Sequence, residues 1–377
     1  MNVLLMTSDW KWTGPAEPMV RLARGLTDLG HRVLLAAPAP PDSSVRSLEE
    51  EAKNAGFPLD LKLRYDHGTR IWSDRKDIQA VRDLVLQNDI DVVHTWHTRD
   101  HILAWRALGI FSKTRKARLV RSYKAGEAIS RLPHNYALFS LGCDGLICVS
   151  PFFALVNQGI CSGPVAGILG AIDTDRYCPA PKKLEVLNSL GLTTSNRIVG
   201  IVARGQRRRR FPLLLEAAKH LFESDPEARL LIIGRGTNRK EVAEDPAREL
   251  GISDRVVFAG YRTSDYLDVI RCIDVFTFLV PGSDGTCRAV IEALSMGIPV
   301  VATRRGSLPE IVLDGKTGIL SGESPKALAE NWKLLLSETN LKTTMAKAAR
   351  VDAKNRFQIK RFSEDVEGLY HRTMQTG

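Results

Sequence analysis

The stretch from Asp274 to Leu320, DVFTFLVPGSDGTCRAVIEALSMGIPVVATRRGSLPEIVLDGKTGIL, constrains the fold more than any other, because its apolar pattern changes period twice. Val275 to Val280 is an apolar run of strand length, broken by Pro281 and Gly282. Ala289, Val290, Ala293 and Leu294 then recur at helical spacing, and Gly297 and Pro299 stop that helix before Val300 to Ala302 reads as a second buried strand. Strand, Gly-containing loop, helix and strand in this order predict a parallel α/β sheet. The first turn of the helix leaves the N–H groups of Gly285, Thr286, Cys287 and Arg288 without intrahelical partners, which makes a place for an anion. Arg288 adds a full positive charge there. Asp284 and Glu292 stand eight residues apart, roughly 12 Å at helical rise, about the reach from a sugar hydroxyl across a diphosphate to a ribose. Two readings stay open: acids bracketing the hydroxyls of a phosphate-bearing ligand, or Asp284 as a capping acid with Glu292 on a solvated face.

The same alternation runs through the chain. Asn2 to Thr7 reads as a strand, a helix starts near Glu17 with Met19, Val20, Ala23, Leu26 and Leu29 on one face, and Val33 to Ala36 is the next strand. Gly142 to Ser150 reads as the last strand of the first half. A second alternating region opens with RIVGIVAR at Arg197 and a helix over Pro212 to Phe222. With 377 residues there is enough chain for two domains, each with its own core.

His94, His97 and His101 are spaced three and four apart, which admits a metal site, but no carboxylate or thiol completes a set on the same face. The favoured reading places His97 and Arg99 at the carboxyl end of a strand, where open α/β sheets bind ligands. Asp173-Thr-Asp175 has the form of a metal-binding Asp-x-Asp, yet sits where short acids serve turns and caps.

An apolar content of 44% and a charged content of 25% are those of an ordinary globular chain. The opening VLLM run is too short for a signal peptide and no apolar run reaches membrane-span length, so a cytoplasmic location is expected. Six cysteines without a Cys-x-x-Cys pair are expected as free thiols. The net charge of +10 is concentrated between Arg106 and Arg131, where eight cations face the single acid Glu127. Such a run suits an anionic membrane surface or a phosphorylated glycan, or else a solvated loop. Arg207 to Arg210 form a second cluster; with no aromatic platform beside it, nucleic acid is not expected as a partner.

Together these segments resemble the retaining glycosyltransferases of family four, which have the GT-B fold. The resemblance rests on an acid, seven residues and a second acid (Asp284 to Glu292), on MGIPVV, on GSLPE, and on weaker matches over nearly the whole chain. It implies an α/β protein of two Rossmann-like domains facing each other across a cleft. Residues 1–172 would form an acceptor-side domain, 173–358 a nucleotide-sugar donor domain, and 359–377 a helix returning to brace the first. The resemblance also assigns roles. Arg204 and Arg209, the latter standing where the family has Lys, would hold the donor diphosphate, and Arg210 stands where the family has Gly. Asp284 would bind a donor sugar hydroxyl and Glu292 the ribose hydroxyls, while Gly234 and Arg235 would approach the base. Gly14 and Glu17 fall in the family's Gly-Gly-x-Glu loop near the donor phosphates and acceptor, and Lys124 stands where several members have His. Beside Arg209 and Arg210, three further departures are evident: Asp284 replaces the usual Glu, Pro15 the second Gly, and Lys124 the His.

The chemistry implied is transfer of a hexose-type sugar from a UDP- or GDP-sugar to a glycan or lipid-linked acceptor with retention, in lipopolysaccharide or other cell-surface glycan assembly. Charge develops on the departing diphosphate, and fixed cations in the site would stabilise it with neither metal nor cofactor. A non-hydrolysing nucleotide-sugar epimerase of the same fold and a non-catalytic relative are the competing expectations.

Overall fold

The computed structural model describes residues 1–12, 16–41, 46–64, 74–109, 117–282 and 285–375. The chain forms two compact units, one of Met1–Ala171 with Ser283–Thr286 and Ile359–Gly377, the other of Ile172–Gly282 with Cys287–Gln358.

Among the described residues, the first unit is built on seven parallel strands: β1 (Asn2–Met6), β2 (Arg32–Pro38), β3 (Leu61–Leu63), β4 (Val92–Thr95), β5 (Arg118–Tyr123), β6 (Gly145–Cys148) and β7 (Val165–Gly167). Their order is β3-β2-β1-β4-β5-β6-β7. In-register pairs such as Leu4 with Leu34 and with Val93 give runs of apolar side chains on both faces, as expected of a sheet covered by helices on each side. One face packs on Ala16–Asp28 and the C-terminal helix Ile359–Gln375, through Met19, Leu22, Leu26, Val366, Leu369 and Tyr370. The other packs on Arg75–Gln87 and Thr98–Leu108, through Val81, Leu103 and Ala104. Gly25 is needed where the two helices of the first face cross, since a Cβ there would lie 2.0 Å from the Ser363 hydroxyl.

The second unit has six parallel strands among the described residues: β8 (Arg197–Val202), β9 (Ala228–Ile233), β10 (Val256–Gly260), β11 (Val275–Phe278), β12 (Val300–Thr303) and β13 (Gly318–Ser321), ordered β10-β9-β8-β11-β12-β13. Arg350 ties its segments together, one guanidinium nitrogen reaching the carbonyls of Thr174, Tyr177 and Ser295 at 2.8–3.1 Å. Ile172, where the second unit begins, bridges to Gln358, where it ends, and donates its N–H to the Phe357 carbonyl at 2.9 Å.

Two elements differ from the sequence reading. Gly142 to Ser150 narrows to β6, Gly145–Cys148, and is not the last strand: Val165–Gly167 follows as β7. β3 is also additional, three residues long on the sheet edge. Both are too short to show a period.

Candidate functional site

In each sheet the strand order reverses direction once: between β1 and β4 in the first unit, and between β8 and β11 in the second. The loops leaving the carboxyl ends of two such strands diverge to opposite faces and leave a crevice, the usual ligand position of open α/β sheets. Most of the described residues singled out in the sequence follow one of these four strands.

In the second unit, β8 leads through Ala203 to Arg204, which is exposed and, among the described residues, has no hydrogen bond or ion pair. Arg209 lies in a short 3-10 turn, Arg207–Arg209, and donates to the carbonyl of Val280 at 2.8 Å, so it is fixed against the loop that leaves β11. Arg210 follows with φ +58°, a left-handed conformation that favours glycine. Its guanidinium pairs with Glu323.

The loop after β9 lies against the loop after β8. A Cβ on Gly234 (φ +142°) would come 2.2 Å from the Ala203 carbonyl oxygen, and one on Gly236 2.5 Å from the Gly205 nitrogen. Gly205 donates to the Arg235 carbonyl at 3.2 Å. The exposed Arg235 guanidinium stacks 4.5 Å over the ring of Tyr261, giving a flat cationic surface beside Arg204's loop.

After β11 comes the helix Arg288–Ser295, with Cys287 at its N-cap in a left-handed conformation and its thiol 3.5 Å from the Ser307 hydroxyl. Gly285 is buried with φ +59° and Thr286 half-buried; both group with the first unit, whereas Cys287 and Arg288 belong to the second. Glu292 is only 1% exposed, so its placement on a solvated face is wrong. Tyr266 donates to Glu292 Oε2 at 2.7 Å, and Arg288 Nε stands 3.4 Å from Oε1. Burial, with the Glu292 charge beside it, pushes the Tyr266 phenol well above its ordinary range and keeps it a donor. The N-cap residue of this helix is Cys287. Asp284 and Gly14 lie outside the described residues, as does Pro15.

In the first unit, Thr7 and Ser8 follow β1, and Trp96 and His97 follow β4. His97 is the N-cap of Thr98–Leu108 and shares a hydrogen bond of 3.2 Å with Thr7. Asp100, fully buried, accepts from the N–H groups of Trp96 and His97 at 2.8–3.0 Å and from Ser8 at 3.2 Å. Burial raises its carboxyl above the usual range, opposed by the Arg121 charge. Burial also lowers His97, so near neutral pH its imidazole is uncharged. Lys124 follows β5 with its ammonium buried 5.9 Å from the Trp96 ring. Arg99 is taken up by Asp74 at 2.5 Å, and Glu17 by Arg21 one helical turn on.

The three histidines are drawn to different partners: His94 to Tyr370 and Ser122 at 2.7 and 2.8 Å, His97 to Thr7, His101 to Thr95 at 3.0 Å. Asp173 accepts from the N–H groups of Asp175 and Arg176, a turn of the kind read from the sequence. The basic run is less of a surface than its charge count suggests, because Arg121 is 5% exposed and points inward. Sequence reasoning did not single out Tyr266, Tyr261, Thr7 or Asp100. Of these only Asp100 left a signal, three residues after the N-cap His97 in a capping-box position.

The description "Glycosyltransferase Family 4" matches residues 14–176, and "Glycosyl transferases group 1" matches residues 183–352. The chain belongs to the family-four type of GT-B glycosyltransferases. Relatives of this GT-B chain include the D-inositol 3-phosphate glycosyltransferase of Corynebacterium urealyticum, 32% identical over 49% of this chain and 46% of that one. The lipopolysaccharide core biosynthesis mannosyltransferase LpsB of Rhizobium meliloti is 28% identical over 56% of this chain and 62% of its own length. These matches span about half the length of the relatives. Among solved structures, a glycosyltransferase from Rickettsia africae superposes with a TM-score of 0.82 at 18% identity, covering 100% of this chain and 99% of that one. Anabaena HepE, crystallised with UDP and glucose, superposes with 0.78 at 18% identity over 98% of both chains. At that identity the likeness speaks for the GT-B fold. No helix among the described residues is long and apolar enough to cross a membrane.

Proposed function

We propose that this GT-B chain transfers a hexose-type sugar from a nucleotide diphosphate donor to a glycan or lipid-linked acceptor with retention of configuration. The observation that carries this reading is the grouping of cations and helix N-terminus at the β8/β11 reversal. Arg204 is exposed without a protein partner among the described residues, Arg209 is fixed on the β11 loop, and Cys287 and Arg288 open the helix that follows that loop. Such an arrangement suits a diphosphate whose charge grows as the anomeric bond breaks. Glu292, held by Tyr266, would accept the ribose hydroxyls, and the Arg235–Tyr261 pair offers the base a flat surface. Asp284 would bind the donor sugar, and Gly234, Gly285 and Thr286 would bring backbone close to the donor. Glu17, His97, Arg99 and Lys124 would serve the acceptor side, with Glu17 and Arg99 leaving their present ion pairs to do so.

The acceptor reading leans toward lipopolysaccharide or cell-surface glycan assembly, because one relative is named for lipopolysaccharide core biosynthesis and another for a phosphorylated inositol acceptor. A lipid-linked acceptor brings the chain to an anionic membrane through the Arg106–Arg131 region. A thermal-shift screen against UDP, GDP, ADP, CMP and TDP and their sugars, with and without chelator, tests the donor part. Stabilisation by one diphosphate, unchanged by chelator, supports it; no shift with any of them favours a non-catalytic relative. Sugar-nucleotide isomerisation without acceptor would instead reveal an epimerase.

A further inference from the structure

Three of the six cysteines, Cys143, Cys148 and Cys161, come close together in the sequence, and all three are buried free thiols in one apolar cluster with Leu138, Phe139 and Phe153. Sharing a cluster says little by itself, because a buried cysteine is usually an inert small hydrophobe. Two of these three are set apart by contact.

Strand pairing brings them together. β6 and β7 run side by side with Leu146 opposite Val165, and Leu146 donates to the Pro164 carbonyl at 2.9 Å. The segments leading into the two strands therefore lie against each other. A Cβ on Gly163 would come 1.7 Å from the Asp144 carbonyl oxygen, and Ser162 donates to the Ser140 carbonyl at 3.0 Å. Cys143 stands on one of these segments and Cys161 on the other. Cys161 Sγ donates to the Cys143 carbonyl at 3.2 Å, and Cys143 Sγ to the Gly145 carbonyl at 3.1 Å. The two sulfurs are also near enough to share a hydrogen bond, so that the Cys143 S–H can turn to Cys161 once Cys161 gives up its proton.

That contact divides the pair chemically. The hydrogen bond from Cys143 holds Cys161 below the ordinary thiol range, whereas burial pushes Cys143 well above it. Thiolates, not thiols, are the nucleophiles, so Cys161 is the group that attacks and Cys143 the one that resolves. Cys161 is also the less enclosed, at 7% exposure against 1%, with the exposed Ser162 beside it. Cys148 takes neither part: burial pushes its thiol up to about 12.

We propose that Cys143 and Cys161 are a modification site for a hydroperoxide oxidant, closing to a disulfide that joins the segment entering β6 to the segment entering β7. The Cys161 thiolate attacks one peroxide oxygen and breaks the O–O bond, leaving a Cys161 sulfenic acid and a hydroxide that the released proton turns to water. The Cys143 sulfur then attacks the Cys161 sulfur, and the displaced hydroxyl leaves as water with the Cys143 proton. Two thiols and one hydrogen peroxide become one disulfide and two waters. The link fastens the sheet's edge strand β7 to the chain beside the π-turn Ala137–Leu141, whose Phe139 packs on Tyr123 at the carboxyl end of β5. The pair does not depend on the transferase reading.

The test treats the full chain, reduced and then freed of reductant, with hydrogen peroxide, counts thiols in denaturant and maps the unreduced peptides. Two of the six thiols should disappear and return with dithiothreitol, in a peptide that joins Cys143 to Cys161. The melting midpoint should rise by about 5 °C, since cross-linking a loop of this length restricts the unfolded chain. Cys161→Ser should show neither the loss nor the rise, and Cys143→Ser should stop at a Cys161 sulfenic acid that dimedone traps. Should either variant fold poorly, the wild-type peptide map decides alone. Six thiols surviving peroxide, a link through Cys148 or between two chains, or oxidation of a single cysteine without a link overturns the proposal.

Discussion

The phenol of Tyr266 donates to Glu292 Oε2 at 2.7 Å inside the second unit, fixing a carboxylate that is almost wholly buried. A buried carboxylate is costly unless its oxygens are satisfied, and Tyr266 and Arg288 each approach one of them. Removing the phenol hydroxyl by Tyr266→Phe takes away one donor and leaves the ring packing in place. The expected loss is about 1–3 kcal/mol of stability. If Glu292 holds the ribose, nucleotide diphosphate binding should also weaken about tenfold, read by calorimetry. Unchanged binding in a destabilised variant would make Tyr266 a structural donor only.

Arg204 and Arg209 should separate by their surroundings. Arg204 is exposed with no protein partner among the described residues, so Arg204→Ala should leave the thermal midpoint within a degree or two while turnover falls by about two orders of magnitude or more. Arg209 also holds the Val280 carbonyl, so Arg209→Ala should lower both turnover and midpoint. Near wild-type turnover in Arg204→Ala would remove that residue from the chemistry. Replacement by Lys should recover part of the rate at either position, since charge is kept and the planar fork is lost.

Much of this arrangement was legible because the second unit repeats its period cleanly. The change from strand to helix spacing between Val275 and Leu294, with Gly297 and Pro299 as stops, gives β11, the following helix and β12 within a residue or two. Arg209 and Arg210 could be placed by counting back from the LLLEA helix, and the left-handed φ at Arg210 now gives the physical reason for a glycine at that position. What the residues did not disclose is three-dimensional. Tyr266 and Glu292 are 26 residues apart, with no spacing rule linking a buried phenol to a buried acid. Glu292 could be read as solvated or buried from the same helical pattern, and only packing decides. Arg121 looked like one more surface cation because its strand neighbours alternate irregularly, whereas the sheet face it occupies is covered. β3 and β7 are three residues each, below the length at which alternation can be seen.

Arg210 allows a backbone effect to be measured apart from an ion pair. At φ +58° any Cβ is disfavoured by about 1 kcal/mol, while the guanidinium pairs with a Glu323 carboxylate held down to about 2 chiefly by Arg305 and further by Arg210. Both Arg210→Ala and Arg210→Gly lose the pair, but only glycine relieves the backbone. Arg210→Gly should therefore be the more stable of the two by about 1 kcal/mol in denaturant midpoints. Equal stability, or alanine the more stable, would show that the left-handed conformation is not retained in solution.

His94 gives the first unit a pH dependence whose sign is fixed by its surroundings. It is fully buried, hydrogen-bonded to Tyr370 and Ser122, stacked 4.2 Å from Trp96, and near the cations Lys124 and Arg121. Burial first, and those charges second, lower it from 6.5 to about 3. Its folded form thus stays neutral at pH values where the unfolded chain takes up a proton. The stabilisation is fully present above about pH 6.5 and is lost as pH falls toward about 3, approaching 1.4 kcal/mol per pH unit in between. His94→Gln keeps a donor and an acceptor without a titrating ring. It should be less stable than wild type near neutrality, yet its unfolding free energy should fall less steeply from about pH 6.5 to about pH 4.5, by close to one proton's worth of slope. Chemical denaturation across that range measures both slopes, and parallel curves for the two proteins would mean that His94 is protonated or solvated in the folded state.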